Sequence, residues 1–308
     1  MKYSKNIKDF IKFQAKQQGF TNVCFAKATF LEKEAPLLEK WLRAGYHGQM
    51  LWMENHFDKR LDPRLLLEEC KTVVIFSHNY YPAESLSMEK YKISRYAYGE
   101  DYHRVLRDKL NTLMTLVKEK FGDLNYRIFV DSGPVMERVW AERSGIGWVG
   151  KHSLLLTKSQ GSFYFLATLL MDVALEEDPP VTDHCGTCTR CIDSCPTDAI
   201  IEPYVVDSNR CISYLTIEYR NELPIELKDH MEGWIFGCDI CQEVCPWNRF
   251  SHAHSEPRFE PSEQLKSATD ELLENMETEL FNQLFSKSAV KRTKFQGFRR
   301  NIEFIKCP

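Results

Sequence analysis

The sequence predicts an α+β protein in which an α/β-type N-terminal domain precedes a small cysteine-rich domain. Three observations carry this. Strand-like and helix-like periodicities alternate over residues 1–175. An acidic, proline-bearing stretch, EEDPPVTDH, interrupts them at 176–184, and eight of the 11 cysteines fall between Cys185 and Cys245. A chain of 308 residues has room for about two cores. Its 43% apolar and 27% charged residues argue against a disordered or fibrous chain, and its net charge of -4 against a uniformly basic nucleic-acid coat. No apolar run approaches the roughly 18 residues that cross a bilayer, and the opening MKYSKNIKDF lacks the apolar stretch of a secretory signal. A cytoplasmic protein with no membrane partner is expected.

Taken in order, Ile7, Phe10, Ile11 and Gln14/Ala15 recur at helical spacing, and TVVIFS (72–77) reads as a buried strand. Leu106, Leu110, Leu113 and Val117 mark an amphipathic helix over 101–119. YRIFV (126–130) is a second strand that runs into Asp131-Ser132-Gly133-Pro134, followed by a helix from Val135 to Arg143. Gly145, Gly147 and Gly150 in GIGWVGKHS form a loop where backbone comes close to something or takes positive φ. Residues 153–157 and 163–171 are further strands. The chain then divides at 1–178, 179–250 and 251–308, the last part holding a helix near 263–283. From Lys287 onward seven basic residues face only Glu303, a local charge of +6.

Cys185, Cys188, Cys191 and Cys195-Pro196 spell C-x2-C-x2-C-x3-C-P, the bacterial two-cluster ferredoxin run whose fourth cysteine serves the other cluster. Zinc, which favours four ligands in two separated pairs, suits cysteines at i, i+3 and i+6 poorly. Cys238, Cys241 and Cys245-Pro246 repeat the run with one member missing, and Cys211 is the remaining cysteine of the region. The exchange rule assigns Cys185, Cys188, Cys191 and Cys245 to one 4Fe–4S cluster, and Cys195, Cys211, Cys238 and Cys241 to the other. Cys24, Cys70 and Cys307 read as ordinary thiols. A ferredoxin module joined to a larger domain delivers electrons to a site there.

The first domain has neither a G-x-G-x-x-G after a strand nor a G-x-x-x-x-G-K-[ST] loop, so neither a dinucleotide nor ATP is expected. Asp131 stands at the carboxyl end of a strand, where active-site groups gather, but also where an aspartate caps the next helix.

RYAYGEDYHRVLR (95–107), VDSGPVMERVWAERSGIGWVGKHSLLL (130–156), HCGTCTRCIDSCPTDAI (184–200), RCISYLTIEYR (210–220), GCDICQEVCPWN (237–248) and SAVKRTKFQGFRRN (288–301) resemble, in order, the epoxyqueuosine reductases. The chain looks like their short form, without the C-terminal helical repeats. The resemblance implies reduction of epoxyqueuosine to queuosine at the anticodon wobble position of tRNA, with cobalamin in the first domain and electrons from an external low-potential donor passing through two 4Fe–4S clusters. No D-x-H-x-x-G signature is present, in keeping with a family whose cobalamin lacks a histidine below the cobalt. The resemblance makes Asp131 the proton donor, and burial against the corrin is expected to raise its pKa. It places Arg60, Lys151, His152, Ser153, Ser213 and Thr216 at the cofactor and Tyr96, Tyr102 and His103 at the substrate. The basic segment, with Lys291, Arg292, Lys294, Arg299 and Arg300, is the expected contact for tRNA phosphates. A monomer is expected. A corrinoid reductive dehalogenase and a ferredoxin-type electron-transfer protein share parts of the pattern.

Overall fold

The computed structural model describes residues 2–306; Cys307 lies outside the described residues. A four-stranded sheet organises the N-terminal part. Its strands are β1 (Asn22–Lys27), β2 (Thr72–Asn79), β3 (Tyr126–Phe129) and β4 (Tyr164–Met171). They lie in the order β1-β2-β4-β3, and every pair is antiparallel. The alternation of helix and strand therefore builds an antiparallel α+β layer rather than βαβ units. β1 was not legible as a strand.

All eight residues of β2 are buried because helices cover both faces of the sheet. Val74 and Phe76 pack with Ile7 and Ile11 of α1 (Lys2–Gln17) and with Leu106, Leu110 and Leu113 of α2 (Tyr102–Phe121). Val73 and Ile75 point the other way, toward Leu38, Leu61 and Trp140 of α3 (Glu137–Arg143). This is the two-residue period of a strand displayed between two apolar layers. In the glycine loop, Gly147 has no room for a side chain: a Cβ there would stand 1.9 Å from the Leu156 carbonyl oxygen.

Segment 176–184 is tied down at its start. Asp178 pairs with Lys8 and Lys12 at 2.9 and 3.2 Å and accepts the Phe25 N–H at 3.0 Å. Beyond it, the cysteine runs lead into two one-turn helices, Arg190–Asp193 and Ile240–Glu243. Strand Trp234–Phe236 pairs in parallel with Lys92–Ile93, so the two parts of the chain share a sheet. Phe281, Phe285, Phe298 and Ile302 close a core over Tyr91, Ile93 and Phe236. The helix expected over 263–283 is three short ones, Glu263–Lys266, Asp270–Glu274 and Thr278–Leu284. Ser262 and Thr269 cap the first two, and a capping side chain starts a helix instead of continuing one. Among the described residues no helix is long and apolar enough to cross a membrane.

Candidate active site

A cavity of about 2090 Å³ opens between the sheet layer and the cysteine-rich part. Ordinary small-molecule pockets hold about 300–1,000 Å³, so this one suits a macrocycle together with a substrate. Cys195, Cys211, Cys238 and Cys241 all line it. Cys185, Cys188, Cys191 and Cys245 ring a separate space of about 250 Å³.

The thiols act on one another within these same sets. Burial, and then Cys245, Cys185 and Cys188, push the Cys191 thiol up to about 11. Burial, followed by Cys211 and Cys195, raises Cys241; burial, with Cys211 and Cys241, raises Cys238. Cys191 also acts on Cys241, so the two sets adjoin there. Four such thiols resist ionising together unless a cationic group sits among them, and iron supplies that charge. Among the described residues, no three His, Cys, Asp or Glu are placed to chelate a single metal ion. The donor sets fit two iron–sulfur clusters.

Asp131 stands on the wall of the large cavity in a left-handed conformation, φ 52°, which costs a non-glycine residue about 1 kcal/mol. Its N–H donates to Glu137 Oε2 at 3.1 Å, which holds the turn. It does not cap α3: the N-cap position there is Met136, with no side-chain cap, so the capping reading of Asp131 fails. Its Oδ2 accepts the Tyr102 hydroxyl at 2.5 Å and lies 3.5 Å from His103 Nε2. His103 Nδ1 is 2.6 Å from Asp101 Oδ1, and Asp101 also caps α2 through the His103 N–H. Local helix chemistry thus aims the imidazole, and stacking of Tyr102 on Phe165 at 4.2 Å fixes the phenol.

The chain's own residues set the charge state around Asp131. Burial alone would raise the Asp131 carboxyl. Hydrogen bonds from His103 and Tyr102, and the charges of His103 and Arg138, outweigh it and hold the group below the ordinary carboxylate value. Burial likewise works against His103, yet hydrogen bonds to Asp101 and Asp131 raise it to about 9. At neutral pH the resident proton belongs to the imidazole. The Asp131 side chain is 63% exposed, and the space it faces is the cavity; a ligand filling that space would push its pKa back up.

Arg60, His152, Ser153, Ser213, Tyr96, Tyr102 and His103 all line the large cavity. The buried Arg60 guanidinium also ties its own loop through the Trp52 carbonyl at 2.7 Å. His152 lines both spaces. Its Nδ1 accepts the Leu154 N–H at 3.1 Å, and burial lowers its pKa to about 4, which leaves a neutral ring. Its buried Nε2, which then carries the proton, has no partner among the described residues and offers a donor to whatever fills the cavity. With the cavity's size, this fits a bound corrin.

Other placements differ from expectation. Lys151 lines only the smaller space, where it donates to the Gly186 and Cys188 carbonyls at 2.7 and 3.0 Å, because the cysteine loop folds over it. Thr216 is fully buried on neither cavity; its hydroxyl donates to Ile212 O and accepts Gly237 N–H. Lys291, Arg292 and Lys294 reach the cavity rim, with Arg292 paired to Glu218 at 2.9 Å. Arg299 pairs with Glu303 at 2.7 Å, and Arg300 donates to the carbonyls of Tyr219, Asn221 and Leu215. Those two arginines are tied into the fold, so reversing their charges would test folding before phosphate contact. Glu137 and Arg138 both line the cavity and were not foreseen; their nearness to Asp131 in α3 was the available signal.

Comparison with known proteins agrees along nearly the whole chain. Residues 60–132 match the family model described as Epoxyqueuosine reductase QueG, DUF1730, and residues 184–248 match the 4Fe-4S double cluster binding domain. An epoxyqueuosine reductase of Cellulophaga algicola is 55% identical over 97% of this chain and 97% of its own. That of Escherichia coli is 42% identical over 95% of this chain and 78% of its own. The crystal structure of an epoxyqueuosine reductase with an epoxyqueuosine-modified tRNA-Tyr stem loop superposes with TM-score 0.91 at 30% identity, covering 98% of this chain and 81% of that one. A Bacillus subtilis epoxyqueuosine reductase, described with its catalytic aspartate loop swung out of the active site, gives TM-score 0.90 at 29% identity, over 98% of this chain and 81% of its own. The chain belongs to the epoxyqueuosine reductase family.

Proposed function

We propose that this protein reduces epoxyqueuosine to queuosine at the anticodon wobble position of tRNA, in the cytoplasm and as a monomer. The observation that carries the reading is one wall of one cavity. Asp131, with Tyr102 and His103 on its carboxylate, faces the same space as the four cysteines of the inner set. An electron-transfer protein has no use for such a cavity. Residues 1–178 hold the cavity's acid–base wall, 179–250 the two cysteine sets, and 251–308 the basic rim.

When bound, the clusters supply single electrons and cobalamin supplies the reducing centre for carbon–oxygen cleavage. The chain's own residues manage protons and position. Opening an epoxide to an alkene takes two electrons and two protons and releases water, and the departing oxygen is strongly basic unless protonated. The His103 imidazolium, oriented by Asp101, passes its proton across 3.5 Å to Asp131 Oδ2, which hands it to that oxygen. Tyr102 keeps Oδ2 in register. His152 Nε2–H would offer the cofactor a hydrogen bond, and Arg60 and Ser213 would line its bed. Lys291 and Lys294, exposed at the rim, meet the phosphates of the anticodon stem.

The test is an anaerobic incubation of the reconstituted protein with epoxyqueuosine-containing tRNA and a chemical reductant, followed by nucleoside analysis. Queuosine is the expected product. Unchanged epoxyqueuosine from protein carrying both clusters and cobalamin would refute the reading.

A further inference from the structure

The two cysteine sets present themselves differently to the outside. The inner set opens into the cavity that the substrate must enter, whereas the outer set lies beneath exposed chain at Gly186, Thr187, Thr189 and Arg190. The space ringed by Cys185, Cys188, Cys191 and Cys245 is also lined by Lys151, Arg190 and Arg249, and by no carboxylate. Two exposed carboxylates flank the set outside this lining: Asp183 accepts the Cys185 N–H and the Tyr204 hydroxyl, and Asp193 accepts the Thr189 hydroxyl, so the three cations around the space outnumber them. Arg249 is exposed and stacks at 4.5 Å on Phe250, itself 41% exposed. A chain of net charge -4 thus keeps a local excess of cations, and an exposed aromatic ring, beside one of its two thiol sets.

We propose that this face, with Lys151, Arg190 and Arg249 around the outer cysteine set and Phe250 beside them, is the docking surface for a small acidic one-electron carrier protein. The inference rests on the reductase reading, which requires electrons from outside. Each docking event moves one electron: the reduced carrier is oxidised, and the iron–sulfur group of the outer set is reduced. Two events and two protons balance the conversion of one epoxide into one alkene and one water. Charge complementarity selects the partner, because a basic rim raises the encounter rate with an anionic protein and does so less as salt screens it. RNA is also anionic, but a phosphate backbone seated here would cover the set that electrons must reach.

The probe is a photoreduced plant-type 2Fe–2S ferredoxin, mixed anaerobically with the cluster-loaded protein while the bleaching of its clusters is followed. The second-order rate constant is expected to fall at least about tenfold between about 50 mM and about 500 mM salt. An R190E/R249E variant should be at least about tenfold slower at low salt and nearly flat with salt, and calorimetry should show its affinity for the oxidised carrier reduced to match. Reduced methyl viologen, a cation, should reduce the variant no more slowly than the parent. A salt-independent parent rate, an unaffected variant, or competition by an RNA stem loop for the carrier's binding would each overturn the proposal. If R190E/R249E holds no iron, the salt dependence of the parent decides alone. Because turnover is not the readout, failure here leaves the tRNA assay with a chemical reductant untouched.

Discussion

The Asp131 corner and the basic C-terminal segment both read from the sequence as places where charge does chemistry, and the fold treats them in opposite ways. At Asp131, Tyr102, His103 and Arg138 act on one carboxylate that faces the cavity. In the C-terminal segment, Lys291 and Lys294 reach the rim, but Arg299 and Arg300 are turned onto Glu303, Glu274 O and the carbonyls that end the helix Ile212–Ile217. Backbone carbonyls that claim most of a side chain's donors leave it fewer to offer a ligand. Arginine, with five donors, is claimed more readily than lysine.

This contrast can be broken most directly at Asp131. Asp131→Asn should lower turnover by about 10²–10⁴-fold while iron and cobalamin contents stay constant. Retention of full turnover would remove the proton-donor role. Arg300→Ala should act on the other side of the comparison. It leaves three carbonyl oxygens without their donor, so urea unfolding should show a loss of about 2–3 kcal/mol. A stability equal to the parent, joined to weakened tRNA binding, would return Arg300 to the surface.

His103 sharpens the comparison through pH. Its pKa is raised from 6.5 to about 9, so the charged ring is present below that value and lost as pH rises through it. Turnover should decline on that alkaline limb, and His103→Gln should remove the limb and slow the reaction about 10–100-fold near neutrality. The same sign applies to stability. The contribution of this raised group is complete below 6.5 and disappears as pH climbs through about 9, whereas that of the lowered Asp131 is present above its ordinary 3.8 and is lost as pH falls through its folded value. The smallest effect is expected at the rim. Lys291→Glu with Lys294→Glu should weaken tRNA binding about tenfold and reduce its salt slope by about two, with the midpoint of unfolding unchanged.

Much of the site was legible because its determinants are short in sequence. The spacing of the eight cysteines named a choice of partners before any fold was known, and the thiols line two spaces in those same sets. The apolar period of 101–119 and the run TVVIFS likewise set α2 and β2 directly. Asp131 was different. Its position at a strand end was equally consistent with a helix cap, and only the surrounding family resemblance singled it out. The downward shift of its carboxyl was out of reach, since it depends on Tyr102 and His103 arriving from 29 and 28 positions away.

The sequence by itself determined the metal-binding chemistry and the apolar faces, because these depend on residue type and local spacing. Tertiary structure decided the antiparallel sheet, the sharing of Tyr91 and Ile93 with the C-terminal core, the direction of the Asp131 shift and the division of the basic segment. Each of these depends on distances between residues far apart in the chain, and pairing, burial and Coulombic interaction are functions of those distances.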